Sequence, residues 1–255
     1  MSHGCLQQRL SDGLLHLAFD SLCLPGFRHG VFGRPGGVSP HPWRSLNVGL
    51  GVGDRPENVA ANRQRLKEAL GLPRLVSLGQ VHGAGVLVLR QAPDDDREIP
   101  GFDALVTDLA GVGIMIQGAD CQAVFLLDPV RQAVGLAHAG WRGSVAGILP
   151  ATVAAMVEAF GSRPADLLAA IGPSLGPCCA EFRGFRDELP ASFWPYRLDG
   201  DRFDFWAISA GQLTACGLAP SRIACAGVCT VCDQDFFSFR RDRQTGRCAA
   251  VVGRC

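Results

Sequence analysis

Neither sign of charge is in excess in this chain of 255 residues, since Lys+Arg and Asp+Glu both number 24. Without a global field, nucleic acid and anionic membranes are not expected partners, and a small neutral or weakly charged substrate is. No uninterrupted apolar run reaches the roughly 18 residues that a membrane helix needs. The first twenty residues also lack the basic, apolar and small-residue regions of a signal peptide, so the expected compartment is the cytoplasm. Repeats, linkers and low-complexity tracts are missing as well, which favours one domain over residues 1–255 with a substantial core. The 11 cysteines are odd in number and too sparse for a disulfide scaffold, so most read as buried thiols. Cys229 and Cys232, with Cys225 nearby, form a C-x-x-C, but a second C-x-x-C and a neighbouring histidine are lacking, so ordinary thiols are expected. Cys178 and Cys179 are adjacent, a poor geometry for bonding each other.

What the chain does have is a cysteine and a histidine on two apolar segments joined by a turn, within residues 117–143. Asp128-Pro129-Val130-Arg131 carries a type I turn signal. Residues 122–127 and 132–138 are short and rich in Val, Leu and Phe, as strands buried on both faces are. A two-residue loop at Pro129-Val130 would put Cys121 directly opposite His138, with Cβ atoms about 4.5–5.5 Å apart. Such a pair could share a metal, or the imidazole could take the thiol proton.

Elsewhere, residues 33–39 are too rich in glycine for a regular element. A helix follows, with Asp54 as the expected N-cap, Pro56 in the first turn, Gly71 past the end and the stripe Val59, Asn62, Leu66 and Leu70 facing the core. Asn62 reads as a satisfied core amide. His82 stands where a strand meets a turn, before Gly83-Ala84-Gly85, and His138 is likewise followed by Ala139-Gly140. His3, His16, His29 and His41 lack neighbouring ligand types and read as surface or core residues. Beyond Gly143 a helix is expected over residues 144–160, kinked or started late by Pro150. Many short strands with interspersed helices favour an α+β fold.

Two imidazoles and a thiolate, from His82, His138 and Cys121, match the three-ligand, open-position pattern of catalytic zinc. Asp120 could hold a metal-bound water or a histidine N–H. Arg142 stands at the expected start of a helix, where an anion is favoured, and Arg240 with Arg241 forms a second cationic cluster. Solvated arginines whose stems cover aromatic rings are the plainer alternative.

The motifs Arg34-Pro35-Gly36-Gly37, Ser45-Leu46-Asn47, Asn62-Arg63, Gln80-Val81-His82-Gly83, Ala119-Asp120-Cys121, His138-Ala139-Gly140-Trp141-Arg142-Gly143, Phe236-Phe237-Ser238-Phe239-Arg240-Arg241 and Thr245-Gly246-Arg247 resemble, in order, those of the YfiH-type family. Its members are called laccase-domain or polyphenol oxidase proteins in older usage and purine nucleoside phosphorylases more recently. The resemblance implies mixed β-sheets with flanking helices, similar to the cytotoxic necrotizing factor catalytic domain. It implies zinc, or copper, on His82, Cys121 and His138, with these residues and Asp120 catalytic. Phosphorolysis of adenosine, inosine and methylthioadenosine is the implied activity, with adenosine deamination beside it. Arg63, Arg142, Arg240 and Asn47 become candidate contacts for nucleoside and phosphate. Ala123, Ala180 and Phe239 depart from the family's usual proline and two tyrosines, which bears on substrate preference. A cysteine hydrolase with Cys121 as nucleophile and His138 as base, editing serine-containing muramyl precursors, is the alternative. Copper oxidase chemistry is disfavoured, because a coupled copper cluster needs many more histidines than His82 and His138.

Overall fold

The computed structural model describes residues 4–10 and 13–255; His3 lies outside them. Two large sheets pack face to face, with helices on both outer surfaces. The strands are β1 (Cys5–Arg9), β2 (Leu15–Phe19), β3 (Phe27–Phe32), β4 (Arg74–Gly79), β5 (Val86–Leu89), β6 (Arg97–Pro100), β7 (Ala104–Thr107), β8 (Val112–Gly118), β9 (Gln122–Asp128), β10 (Ala133–Ala139), β11 (Leu168–Ile171), β12 (Arg197–Leu198), β13 (Arg202–Phe203), β14 (Ile223–Cys225) and β15 (Cys248–Arg254). The first sheet has seven strands in the order β1-β2-β3-β15-β8-β4-β6. The second has six, ordered β14-β11-β9-β10-β7-β5, and β12 and β13 make a small hairpin.

Alternation along buried strands explains the layering. Phe125 and Leu127 of β9, with Val134 and Leu136 of β10, face Leu17, Val31, Ile114 and Val252 of the first sheet. Val124, Leu126 and Ala137 face the other way, onto α3 (Ile148–Phe160) and α5 (Phe205–Ala215) through Leu149, Val153, Met156 and Leu213. On the far side, Leu66 and Leu70 of α1 (Pro56–Leu70) cover Phe32, Met115 and Val251. Strands buried on both faces read as unbroken apolar runs, as residues 122–127 do. Among the described residues no helix is long and apolar enough to cross a membrane.

Two local expectations change. Arg55 rather than Asp54 occupies the N-cap of α1. Asp54 is instead buried, accepting hydrogen bonds from Ser39 Oγ at 2.6 Å and Asn47 Nδ2 at 2.9 Å. The helix after Gly143 is really two, α2 (Trp141–Ala146) and α3, separated at Gly147 with φ of 82°. Pro150 then lies in the first turn of α3, where its missing N–H costs nothing.

The hairpin register also differs. Asp128 pairs with Ala133 and Ala123 with His138, because the loop holds four residues, 129–132, and Gln132 adopts φ of 55°. Asp128 Oδ1 accepts the N–H groups of Val130 and Arg131 at 2.9 Å each and fixes the turn. Cys121 is thus not the direct partner of His138. A slip of two residues preserves the face, however, so Cys121, just ahead of β9, remains a diagonal neighbour on the same side as His138.

Candidate metal centre

His82, Cys121 and His138 converge between the ends of the two sheets, their ligand atoms all lying within 4.8 Å of one another. Cys121 Sγ is 4.0 Å from His82 Nε2, and the two imidazoles meet edge to face with centroids 4.8 Å apart. Around a zinc with bonds of about 2.0 and 2.3 Å, a nitrogen and a sulfur would stand about 3.6 Å apart. The Cys121–His82 pair therefore needs a contraction of only a few tenths of an ångström, and the three donors are of the types that a tetrahedral zinc takes. Gly140 permits the approach, because a Cβ there would lie 2.9 Å from Cys121 Sγ and 3.1 Å from His82 Cδ2.

The residue that organises the centre is Asp103, fully buried just before β7. Its Oδ1 is 2.9 Å from His138 Nδ1 and accepts the His82 N–H at 2.9 Å, while Oδ2 accepts the Gly83 N–H at 2.7 Å. His82 has φ of 61°, a left-handed conformation held by those bonds. With Nδ1 engaged by Asp103, His138 presents Nε2 to the centre. Burial alone would raise the Asp103 pKa, but hydrogen bonds from His138, Gly83 and His82 outweigh it and hold the carboxyl below its usual range. Burial would likewise raise Cys121 and lower His138; their mutual attraction, aided by Asp103 and His82, reverses both shifts. Both shifts favour a thiolate beside an imidazolium, and Nε2 is the atom on which His138 would hold a cation in place of its proton.

Other expected site residues are placed differently. Asp120 turns away from the centre with φ of 91°, accepting from Thr230 Oγ1 at 2.8 Å and the Arg240 N–H at 2.6 Å. It braces the loop carrying Arg240 rather than a histidine. Arg63 bonds Val48 O, Ser77 Oγ and Glu98 Oε2, so all three guanidinium nitrogens serve the scaffold. Asn47 is fully buried, its Oδ1 accepting the N–H groups of Gly49 and Arg247. It reaches the site only by positioning those two. Asn62 is the expected core amide, tying Val38, Ser39 and Asn47 together.

Two cavities flank the centre and share His82, Ala119, Cys121 and Phe239. One, of about 390 Å³, is lined by Gly49, Gly51, Gln80, Gln117 and Arg247. The Arg247 guanidinium is half-buried and, among the described residues, bonds the carbonyls of Thr245 and Gly246. Burial lowers its pKa, against the attraction of Cys121 and Asp120. The other cavity, of about 300 Å³, is walled by Trp141, Phe182 and Phe205, with Gln122, Arg142 and Arg240. Arg142 stacks on Trp141 with its Cζ 4.2 Å from the ring centroid, and Arg240 bonds the Cys179 and Glu181 carbonyls. Sequence reading missed Asp103, Arg247 and the aromatic wall. An acidic residue directly before an all-buried strand was the one available signal for Asp103.

The family model described as multi-copper polyphenol oxidoreductase laccase matches residues 28–255. A purine nucleoside phosphorylase of Streptomyces coelicolor is 41% identical over 234 residues, covering 89% of this chain and 95% of that protein. The crystal structure of YlmD from Geobacillus stearothermophilus superposes with a TM-score of 0.87 at 36% identity, covering 97% of this chain and 98% of the other. YfiH of Bacillus licheniformis gives 0.86 at 29%, covering 98% and 99%.

Proposed function

Because the chain belongs to the YfiH-type laccase-domain family, we propose that it is a metal-dependent purine nucleoside phosphorylase acting on adenosine, inosine and methylthioadenosine, with adenosine deamination as a second reaction. The observation that carries this reading is the convergence of His82, Cys121 and His138 between an aromatic cavity and a cationic one. Zinc is the proposed ion, suited to two imidazoles and a thiolate, with copper second. When bound, it supplies a Lewis acid that stabilises developing negative charge.

The purine stacks among Trp141, Phe182 and Phe205, whose ring faces suit a flat heterocycle. Gln122 lines the same cavity, and its buried Nε2 has no partner among the described residues, leaving a donor for the base. Gln117 Oε1 is similarly unpartnered in the other cavity and can accept from a ribose hydroxyl. Displacement at C1′ needs phosphate opposite the departing base, which assigns it to the Arg247 side. An oxygen of phosphate bonds C1′ as the C1′–N9 bond breaks, and that electron pair leaves on the purine. In the reversed arrangement the phosphate lies with Arg142 and Arg240.

Incubating the metallated protein with inosine and phosphate should release equal amounts of hypoxanthine and ribose 1-phosphate; no turnover would overturn the reading. Arg247→Ala should raise KM for phosphate about 10- to 100-fold, the equivalent of 1.5–3 kcal/mol for a charge-assisted bond, with little change for inosine. The same loss on Arg142→Ala, with Arg247→Ala silent, would establish the reversed arrangement.

Asp103, His138 and Cys121 also stand in the order of orienting acid, base and nucleophile. That geometry favours, as a second reading, a cysteine amidase, for which muramyl peptides are the substrate class that the family resemblance implies. Turnover that survives chelation and is lost on alkylating Cys121 would select it.

A further inference from the structure

Beside the aromatic cavity, four cysteines from two loops meet. Cys178 and Cys179 follow β11, and Cys229 and Cys232 follow β14. These strands pair in parallel, Ala169 with Ile223 and Ile171 with Cys225, so both loops leave the same end of the sheet. A bridge between Ser174 and Cys229 continues the alignment beyond the strands. All four sulfurs lie within 4.8 Å of one another, with Cys232 Sγ 3.7 Å from Cys178 Sγ and 3.6 Å from Cys179 Sγ. A disulfide requires about 2.05 Å. Sulfurs arranged tetrahedrally at 2.3 Å around one ion are separated by about 3.8 Å. The two Cys232 spacings match a coordination shell, and the other sulfurs lie within reach of the same ion.

We propose that Cys178, Cys179, Cys229 and Cys232 form a four-thiolate site for a tetrahedral thiophilic cation, zinc by class, separate from the centre at His82, Cys121 and His138. Four thiolates and one divalent ion leave a net negative charge, and the surroundings offset it. Arg202 donates to the Cys178 carbonyl, Arg240 to that of Cys179, and Arg241 to those of Thr230 and Val231. The Gly176 N–H donates to Cys229 Sγ at 3.4 Å, as amides do around metal-bound thiolates. Ordinary thiols were the expectation because the C-x-x-C has no second copy. Its partner is an adjacent pair instead, 54 residues from Cys232 to Cys178, delivered by the parallel strand register.

The ion would clip together the loops that shape one wall of the cleft. The same loops hold Leu175, whose N–H donates to Asp120 O at 2.8 Å, and Thr230, which bonds the Asp120 carboxylate. A structural site of this kind contributes to folding without touching substrate.

The decisive measurement is metal content in the Cys121→Ala chain, whose first centre is disabled. One tightly bound zinc per chain is expected there. After cobalt exchange, an intense thiolate-to-cobalt charge-transfer band and an X-ray absorption shell of sulfur alone should appear. Adding Cys232→Ser to Cys121→Ala should abolish both. The proposal is overturned if the Cys121→Ala protein binds neither ion, if nitrogen or oxygen dominates the shell, or if mass spectrometry finds a disulfide among the four. Should the double variant not fold, the cobalt spectrum of the Cys121→Ala protein decides alone.

Discussion

Asp103→Asn should weaken zinc binding at the His82/Cys121/His138 centre by about 10- to 100-fold, although the side chain touches no ligand atom that faces the ion. The carboxylate accepts from His138 Nδ1, from the His82 and Gly83 N–H groups, and from the Val81 N–H at 3.3 Å. Four donors converge on two oxygens. Asparagine keeps the shape but offers one acceptor, and its NH2 must face a donor. If it faces His138, Nδ1 has to become the acceptor, the proton moves to Nε2, and the ring can no longer ligate. If it faces the turn, the left-handed His82 loses the bonds that hold it.

Asp103→Ala goes further and leaves those donors buried without an acceptor. A stability loss of about 3–5 kcal/mol is expected, as when one partner of a buried ionic pair is removed. Chelator competition gives the zinc affinity of the Asn variant, and urea unfolding gives the stability of the Ala variant. Wild-type zinc affinity in Asp103→Asn would refute the orienting role, whatever the stability of the Ala variant.

The contrast between Asp103 and Cys121 explains what the sequence could carry. Cys121 and His138 lie on one short hairpin, so local alternation placed them on one face even though the assumed loop was two residues too short. His82 was readable from the small residues after it. Asp103 reaches His138 only because β7 pairs with β10, Ala104 opposite Ala137, a non-local register that periodicity does not encode. Asp120 was expected to hold a metal-bound water or a histidine N–H, and no local pattern shows that Thr230 and the Arg240 amide take its carboxylate. Arg63 was a candidate phosphate contact by resemblance, yet Glu98, from a distant strand, takes it at 2.6 Å. Apolar runs identified the central strands, whereas the insertion of β15 between β3 and β8 depends on pairings across most of the chain.

Acidification should destabilise the fold through His29, by about 3 kcal/mol between pH 6.5 and 4. The ring is buried between the first sheet and Phe125, and its Nε2 accepts the Phe19 N–H at 2.8 Å. An acceptor nitrogen needs its lone pair, so this bond exists only for the neutral ring. Burial first, and the neighbouring His16 second, lower the His29 pKa from 6.5 to about 4. The folded state thus stays neutral while the unfolded chain takes up a proton near pH 6.5. The unfolded state binds more protons across that window, so the stabilisation present above pH 6.5 is lost as pH falls towards 4. His16, also lowered by burial, acts in the same direction. His29→Gln supplies an amide oxygen for the Phe19 N–H and cannot titrate. Denaturant unfolding of metal-free protein at intervals from pH 7 to 4 should therefore give a shallower decline in the variant, the two curves converging by about 3 kcal/mol. Parallel curves would mean that His29 is protonated in the folded state, with the Phe19 N–H bonded elsewhere.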